Sequence, residues 1–253
     1  MLIQQTVAIV IIILYCQAVG GMDVPTTSLV TADKVSGNAV ANNSGKVKAD
    51  LGMRDEKAAK LLLQKLKSIK TLKAAVSQQA VINKERKQTL TGILQIKRPG
   101  MFVWSVEKPY QQEFLVRNGK SWNIDHDLMQ VIIQKQENGY ENTPVQLLSG
   151  NIDVFLKDYN VVLTELHKIQ TYSLRPSGDK SLFELLEINF KWNENTKVDE
   201  LIGFVMIDTM GGTSSFDLSK VTINEIISDS TFQAKYPKEY DVIDETAAIK
   251  VGR

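Results

Sequence analysis

Between Gly92 and Trp104 the chain reads Gly-Ile-Leu-Gln-Ile-Lys-Arg-Pro-Gly-Met-Phe-Val-Trp. Two runs of period two flank Pro99-Gly100, and a chain that alternates in this way folds as a β-hairpin. Leu90, Gly92, Leu94, Ile96 and Arg98 share one face of the first run, and Phe102, Trp104 and Val106 share a face of the second. Arg98 therefore ends an otherwise apolar row. It is either a rim residue in water or a charge held there by a partner.

The same period continues on both sides of the hairpin. Segments 88–97, 101–106, 112–117, 120–124 and 129–134 alternate, with turns at 98–100, Lys108-Pro109, Asn118-Gly119 and Asp125-His-Asp127. An antiparallel meander is the economical inference. At Asn142-Thr-Pro144 the pattern gives way to a short helix, capped by Thr143, with Pro144 at the first helical position, Val145, Leu147 and Leu148 following, and Gly150 as the stop. Strands resume at 153–156, 169–175, 182–192, 200–208 and 213–218. Leu182, Leu186, Ile188, Phe190 and Trp192 load one strand face with large apolar groups. Few helices are available to cover such a sheet, so it either curls on itself or leaves an apolar cavity.

Ahead of the strands, Asp55 and Glu56 suit the positive end of a helix. Ala59, Leu62, Leu66, Ile69, Leu72, Val76 and Ala80 follow at spacings of three and four, which predicts one amphipathic helix to about Val81. Its other face carries Lys57, Lys60, Lys65, Lys67, Lys70 and Lys73, which reads as a solvated face, with contact to anionic lipid as the alternative. Residues 21–54 lack either period and cannot bury enough apolar surface to offset their ordering entropy, which predicts a flexible linker. As a coil it would span roughly 30 Å.

The first 22 residues carry no basic or acidic side chain before Asp23, and the apolar run from Thr6 to Cys16 is shorter than the ~20 residues a membrane span needs. Residues 1–20 are expected to be an export signal cut near Ala18–Gly20. The positive start of such signals is missing, so an uncleaved anchor is the alternative, which would tether the folded part to the inner membrane. Cys16 is the only cysteine, which excludes an intramolecular disulfide. A lipid on Cys16 would make the chain an anchored protein, although the large Tyr15 before it speaks against that.

Catalytic chemistry finds little to stand on. His126 and His167 are the only histidines, and neither has a second ligand at metal spacing; no metal or other cofactor is expected. No nucleophile elbow or phosphate loop is present, and Asp125 and Asp127 read as turn formers. The formal charge of +1 gives no basic field for nucleic acid. The expectation is a non-enzymatic protein.

The ordered series Lys97-Arg-Pro-Gly-Met-Phe-Val-Trp104, Lys108-Pro-Tyr-Gln111, Asn118-Gly-Lys-Ser-Trp122, Asp125-His-Asp-Leu-Met-Gln-Val131, Thr143-Pro-Val-Gln-Leu-Leu148 and Tyr236-Pro-Lys-Glu-Tyr-Asp-Val242 resembles the LolA family, periplasmic lipoprotein carriers of diderm bacteria. His126 replaces a proline often found in that turn, and the linker before Asp55 is longer than the family pattern. The resemblance covers 55–244, leaves 245–253 as a tail, and implies an α+β, mostly β fold. That fold is an open antiparallel half-barrel covered by a long N-terminal helix and short lid helices around an apolar cavity. It implies that Arg98 latches the lid, that Leu94, Ile96, Phe102, Trp104, Phe114 and Val116 line a cavity for acyl chains, and that Pro144, Leu147 and Leu148 belong to a lid helix. Implied partners are lipoprotein acyl chains, an inner-membrane release transporter and an outer-membrane acceptor, served by a monomer in the periplasm. A lipid-sensing regulatory domain of the same fold, or an anchored acceptor like LolB, are the alternatives.

Overall fold

The computed structural model describes residues 55–82, 86–135, 148–150, 152, 156–178 and 183–246. The expected signal with Cys16, the linker, the tail beyond Thr246, and Pro144 and Leu147 of the expected lid helix lie outside the described residues.

A single long helix, α1 (Glu56–Ser68), opens the described chain. Asp55 caps it: its Oδ1 accepts from the backbone N–H of Lys57 at 2.9 Å and of Ala58 at 3.1 Å. Ala58, Ala59, Leu62 and Leu66 form its buried stripe. The helix predicted to run to about Val81 stops here, because Ile69 is already extended and Thr71–Ile82 is strand β1. Leu72, Val76 and Ala80 are four apart, a spacing that shares a face in a strand as well as in a helix. Ala74 and Gln78, buried between them, reveal the period of two that wins. The cover is thus a helix of 13 residues, roughly 20 Å long.

Eleven strands follow: β2 (Arg86–Lys97), β3 (Met101–Lys108), β4 (Gln112–Arg117), β5 (Lys120–Asp125), β6 (Gln130–Lys135), β7 (Tyr159–Leu166), β8 (Ile169–Pro176), β9 (Phe183–Asn193), β10 (Val198–Asp208), β11 (Thr213–Ile223) and β12 (Asp241–Asp244). The alternating segments became strands within a few residues of their predicted ends, with one exception. No strand is described at 153–156. Residues 153–155 lie outside the described residues, and Leu156 opens a 3-10 turn that leads into β7. The run Val161-Val162-Leu163 in β7 does not alternate, which hid that strand.

The strands form one sheet in the order β12-β6-β5-β4-β3-β2-β1-β11-β10-β9-β8-β7. Two antiparallel meanders, β1–β6 and β7–β11, are joined by the pairing of β1 with β11. Only β12 lies parallel to its neighbour, β6. The ends of the order, β12 and β7, do not pair, so the sheet is open. It bends at bulges, two of which hold glycines: Gly92 opposite β3 and Gly203 opposite β9. A Cβ on Gly92 would sit 1.9 Å from the Ser105 carbonyl oxygen, and one on Gly203 would sit 2.4 Å from that of Phe216. Only hydrogen fits where adjacent backbones approach this closely.

One large core lies between α1 and the inner face of the curled sheet, drawing on both meanders. The outer face is treated unequally. Over β3–β6 the chain from Ile227 to Tyr240 is strapped across it, with Phe232 beside Val103 and Leu115, and with Tyr236 and Tyr240 beside Ile124, Val131 and Ile133. Burial on both sides shows in the consecutive buried residues Phe102-Val103-Trp104 of β3 and Phe114-Leu115-Val116 of β4.

The close approach at Gly92 predicts that Gly92→Ala lowers stability in urea by about 2–3 kcal/mol, the scale of an overpacked interior. Gly178→Ala, at a site with nothing within 4 Å, should stay within about 1 kcal/mol of wild type.

Candidate functional site

The inner face is the part of the molecule with functional potential. Leu94 and Ile96 of β2, Phe102 and Trp104 of β3, and Phe114 and Val116 of β4 are all buried in the same cluster. Register explains why. Leu94 lies opposite Trp104, and Trp104 opposite Phe114; Ile96 lies opposite Phe102, and Phe102 opposite Val116. These pairs form two rows across three strands, and the Phe102 and Phe114 rings meet edge to face at 6.0 Å. Leu148 joins the cluster from above with Ile152 and Leu156.

Arg98 closes the row at its end. Its backbone N–H donates to the Lys70 carbonyl at 2.9 Å, and its Nη1 donates to the Gly150 carbonyl at 3.0 Å. Two residues on, Gly100 N–H donates to the Ser149 carbonyl at 2.7 Å. One turn of the sheet thus holds both the α1–β1 junction and the residues Ser149 and Gly150. Burial lowers the Arg98 pKa to about 10, so the guanidinium stays charged at neutral pH and needs the acceptors it has.

Its neighbour Lys97 points to the opposite face, as period two requires. Lys97 Nζ donates to the Ile227 carbonyl at 3.0 Å and pairs with Asp229 at 2.6 Å. Consecutive cations fasten different covers, Arg98 the inner one and Lys97 the outer strap. A third fastener came from the lysine-rich face of α1. Lys70 and Lys73 fall beyond α1 and are exposed, as are Lys57, Lys60 and Lys67 on it, but Lys65 pairs with Asp199 of β10 and lies 5.1 Å from the Phe190 ring centre. An isolated lysine in a run of six carries no sign of this in sequence.

The second meander supplies half of the inner face, with Tyr159, Tyr172, Leu186, Ile188, Phe204 and Phe216 among its buried residues. Leu186, Ile188 and Phe190 were legible as one face; Trp192, expected with them, is 36% exposed where β9 runs out past the core. The rest depended on cross-strand register. Toward β5 the inner face turns polar, with Ser121, Asn123 and Asp125 buried. Asp125 is a turn former: its Oδ1 accepts from the N–H of Asp127 and of Leu128, and its Oδ2 from Gln112 Nε2. His126 Nδ1 meets Tyr240 Oη at 2.9 Å and helps to hold the outer strap.

Tyr172 has its pKa raised to about 12, first by burial and then by the charges of Asp199 and Glu165. The folded state holds the phenol proton more tightly than the unfolded chain does. The stability linked to it is complete below pH 10 and is lost as pH rises toward 12. Tyr172→Phe should therefore lose less stability than wild type between pH 10 and 12, measured by urea unfolding at each pH.

Together these features define an open antiparallel half-barrel whose single apolar inner face is closed by a short helix and by a segment hooked to one arginine. The profile described as "Outer membrane lipoprotein carrier protein LolA" matches residues 67–235. A protein of Hahella chejuensis named outer-membrane lipoprotein carrier protein is 34% identical over 160 residues, 62% of this chain and 74% of its own. Proteins of the same name from Pseudomonas aeruginosa and Pseudomonas syringae pv. syringae are 32% and 31% identical. They cover 78% and 76% of this chain, and 93% and 90% of their own lengths. A solved LolA superfamily structure from Nitrosomonas europaea overlaps 70% of this chain and 98% of its own at 11% identity, with a TM-score of 0.42. The chain belongs to the LolA family.

Proposed function

We propose that this protein carries lipoproteins through the periplasm, holding their acyl chains against the inner face of the half-barrel. The chains would come from an inner-membrane release transporter and be given up to an outer-membrane acceptor. The observation that carries this reading is the large apolar inner face drawn from both meanders, which among the described residues is covered by one helix of 13 residues and the segment hooked to Arg98.

Each buried methylene of an acyl chain contributes about 0.8 kcal/mol. A palmitoyl-sized chain in water is therefore strongly driven toward such a face, and the harder task is release. Leu, Ile, Phe and Trp contacts are non-directional and let a chain slide, whereas the bonds of Arg98 and Gly100 to Gly150 and Ser149 exist only with the cover in place. Loading trades those bonds for chain burial, and unloading restores them. Arg98 acts as the latch of a two-state cover, and Leu94, Ile96, Phe102, Trp104, Phe114 and Val116 receive the chain. Pro144, Leu147 and Leu148 would form part of the moving cover.

Arg98→Leu removes the latch and adds apolar surface, which favours the loaded state. In cells, the variant should accumulate as a soluble complex with lipoprotein while delivery to the outer membrane falls. Unchanged lipoprotein fractionation, with a normal amount of complex, contradicts the latch mechanism.

A further inference from the structure

Gln78 is the residue that the apolar inner face does not explain. It sits on β1 with Val76 and Ala80 on its own side and with Leu90 of β2 and Phe216 of β11 directly opposite. Its side chain is fully buried, and among the described residues neither Nε2 nor Oε1 has a hydrogen-bond partner. Gln88, on the next strand and opposite Ala80, shows the ordinary solution, since its Nε2 donates to Tyr110 Oη at 3.0 Å.

An amide buried with both ends unmet lowers the folding equilibrium by on the order of tenfold or more. A leucine or methionine would fill the same space without that cost. The side chains directly around it, Val76, Ala80, Leu90 and Phe216, offer no polar group. A ligand that is otherwise apolar but carries one polar group would satisfy the amide.

We propose that Gln78 is a hydrogen-bonding station for the acyl carbonyl at the head of a bound fatty chain. This inference rests on the carrier reading above and adds a specificity-determining residue to it. Nε2 donates to the carbonyl oxygen of an ester-linked or amide-linked chain. Oε1 is left for an N–H, which only an amide-linked chain supplies. The station is far from the latch: Gln78 lies eight residues along β1 from Lys70, the backbone partner of Arg98, or roughly 26 Å at strand rise. A carbonyl held at Gln78 fixes where the chain begins on the inner face, while the hydrocarbon beyond it slides on apolar contacts.

The test uses the intact protein and two synthetic lipopeptides of equal chain length, one with two ester-linked palmitoyl chains and one with ether-linked hexadecyl chains that lack carbonyls. Wild type should bind the ester form about tenfold more tightly, the scale of one buried neutral hydrogen bond. Gln78→Met should lower ester affinity to the ether level, leave ether affinity unchanged and raise the melting temperature of the empty protein. A third lipopeptide with an added amide-linked palmitoyl chain separates the two sources. If wild type favours it further and Gln78→Met does not, the amide N–H is held by Oε1. Equal binding of ester and ether forms by wild type overturns the station and leaves the carrier reading intact. Ester preference that survives in Gln78→Met overturns its assignment to this residue. Failure of wild type to bind any of the three overturns the carrier reading itself.

Discussion

An open sheet with one apolar face has to be covered, and everything distinctive in this protein follows from how lightly that is done. Among the described residues, twelve strands curl around a core to which one helix of any length contributes. The cover is held by apolar contact and a small set of polar fasteners: Lys65 to Asp199, Arg98 to Gly150, and Gly100 to Ser149. Each fastener joins the cover to the sheet. Hydrophobic contact is non-directional and can be exchanged for contact with another apolar body; in the proposed carrier cycle the hydrogen bonds set which state is preferred when none is present.

The sheet is also unequal from end to end. Strands β3–β6 are clamped on both sides by the core and by the strap of Ile227, Phe232, Tyr236 and Tyr240. Strands β7–β10 carry half-exposed or exposed residues on their outer face, such as Glu184, Glu187 and Lys191. The bulges at Gly92 and Gly203 place a bend in each half.

Much of this was legible in the sequence, and the gaps have physical causes. Period two put Leu94 and Ile96 on one face of their strand and Phe102 and Trp104 on one face of theirs, because short hairpins fix register locally; the resemblance grouped these with Phe114 and Val116, and all six lie in one buried cluster. Helix length was misread because residues four apart share a face in both regular structures, and only Ala74 and Gln78 between them decide. The orientation of Arg98 followed from counting by twos, but its acceptor is a main-chain carbonyl, and a carbonyl leaves no trace in residue identity. Lys65 looked like its five neighbours in the lysine-rich face. Gln78 lay off the helical spacing of Val76 and Ala80, and its buried state without a partner among the described residues required the fold. The contribution of β7–β11 required long-range register that no local pattern encodes.

The central claim is that acyl chains bind on the inner face and nowhere else on the sheet. Phe114 and Trp122 lie on adjacent strands and belong to opposite faces, the first in the inner core and the second against the outer strap. Replacing each in turn with a photo-crosslinking phenylalanine derivative and irradiating with a radiolabelled lipopeptide asks the question directly. The account predicts labelling through position 114 and none through position 122. Equal labelling at both, or labelling through position 122 alone, contradicts it.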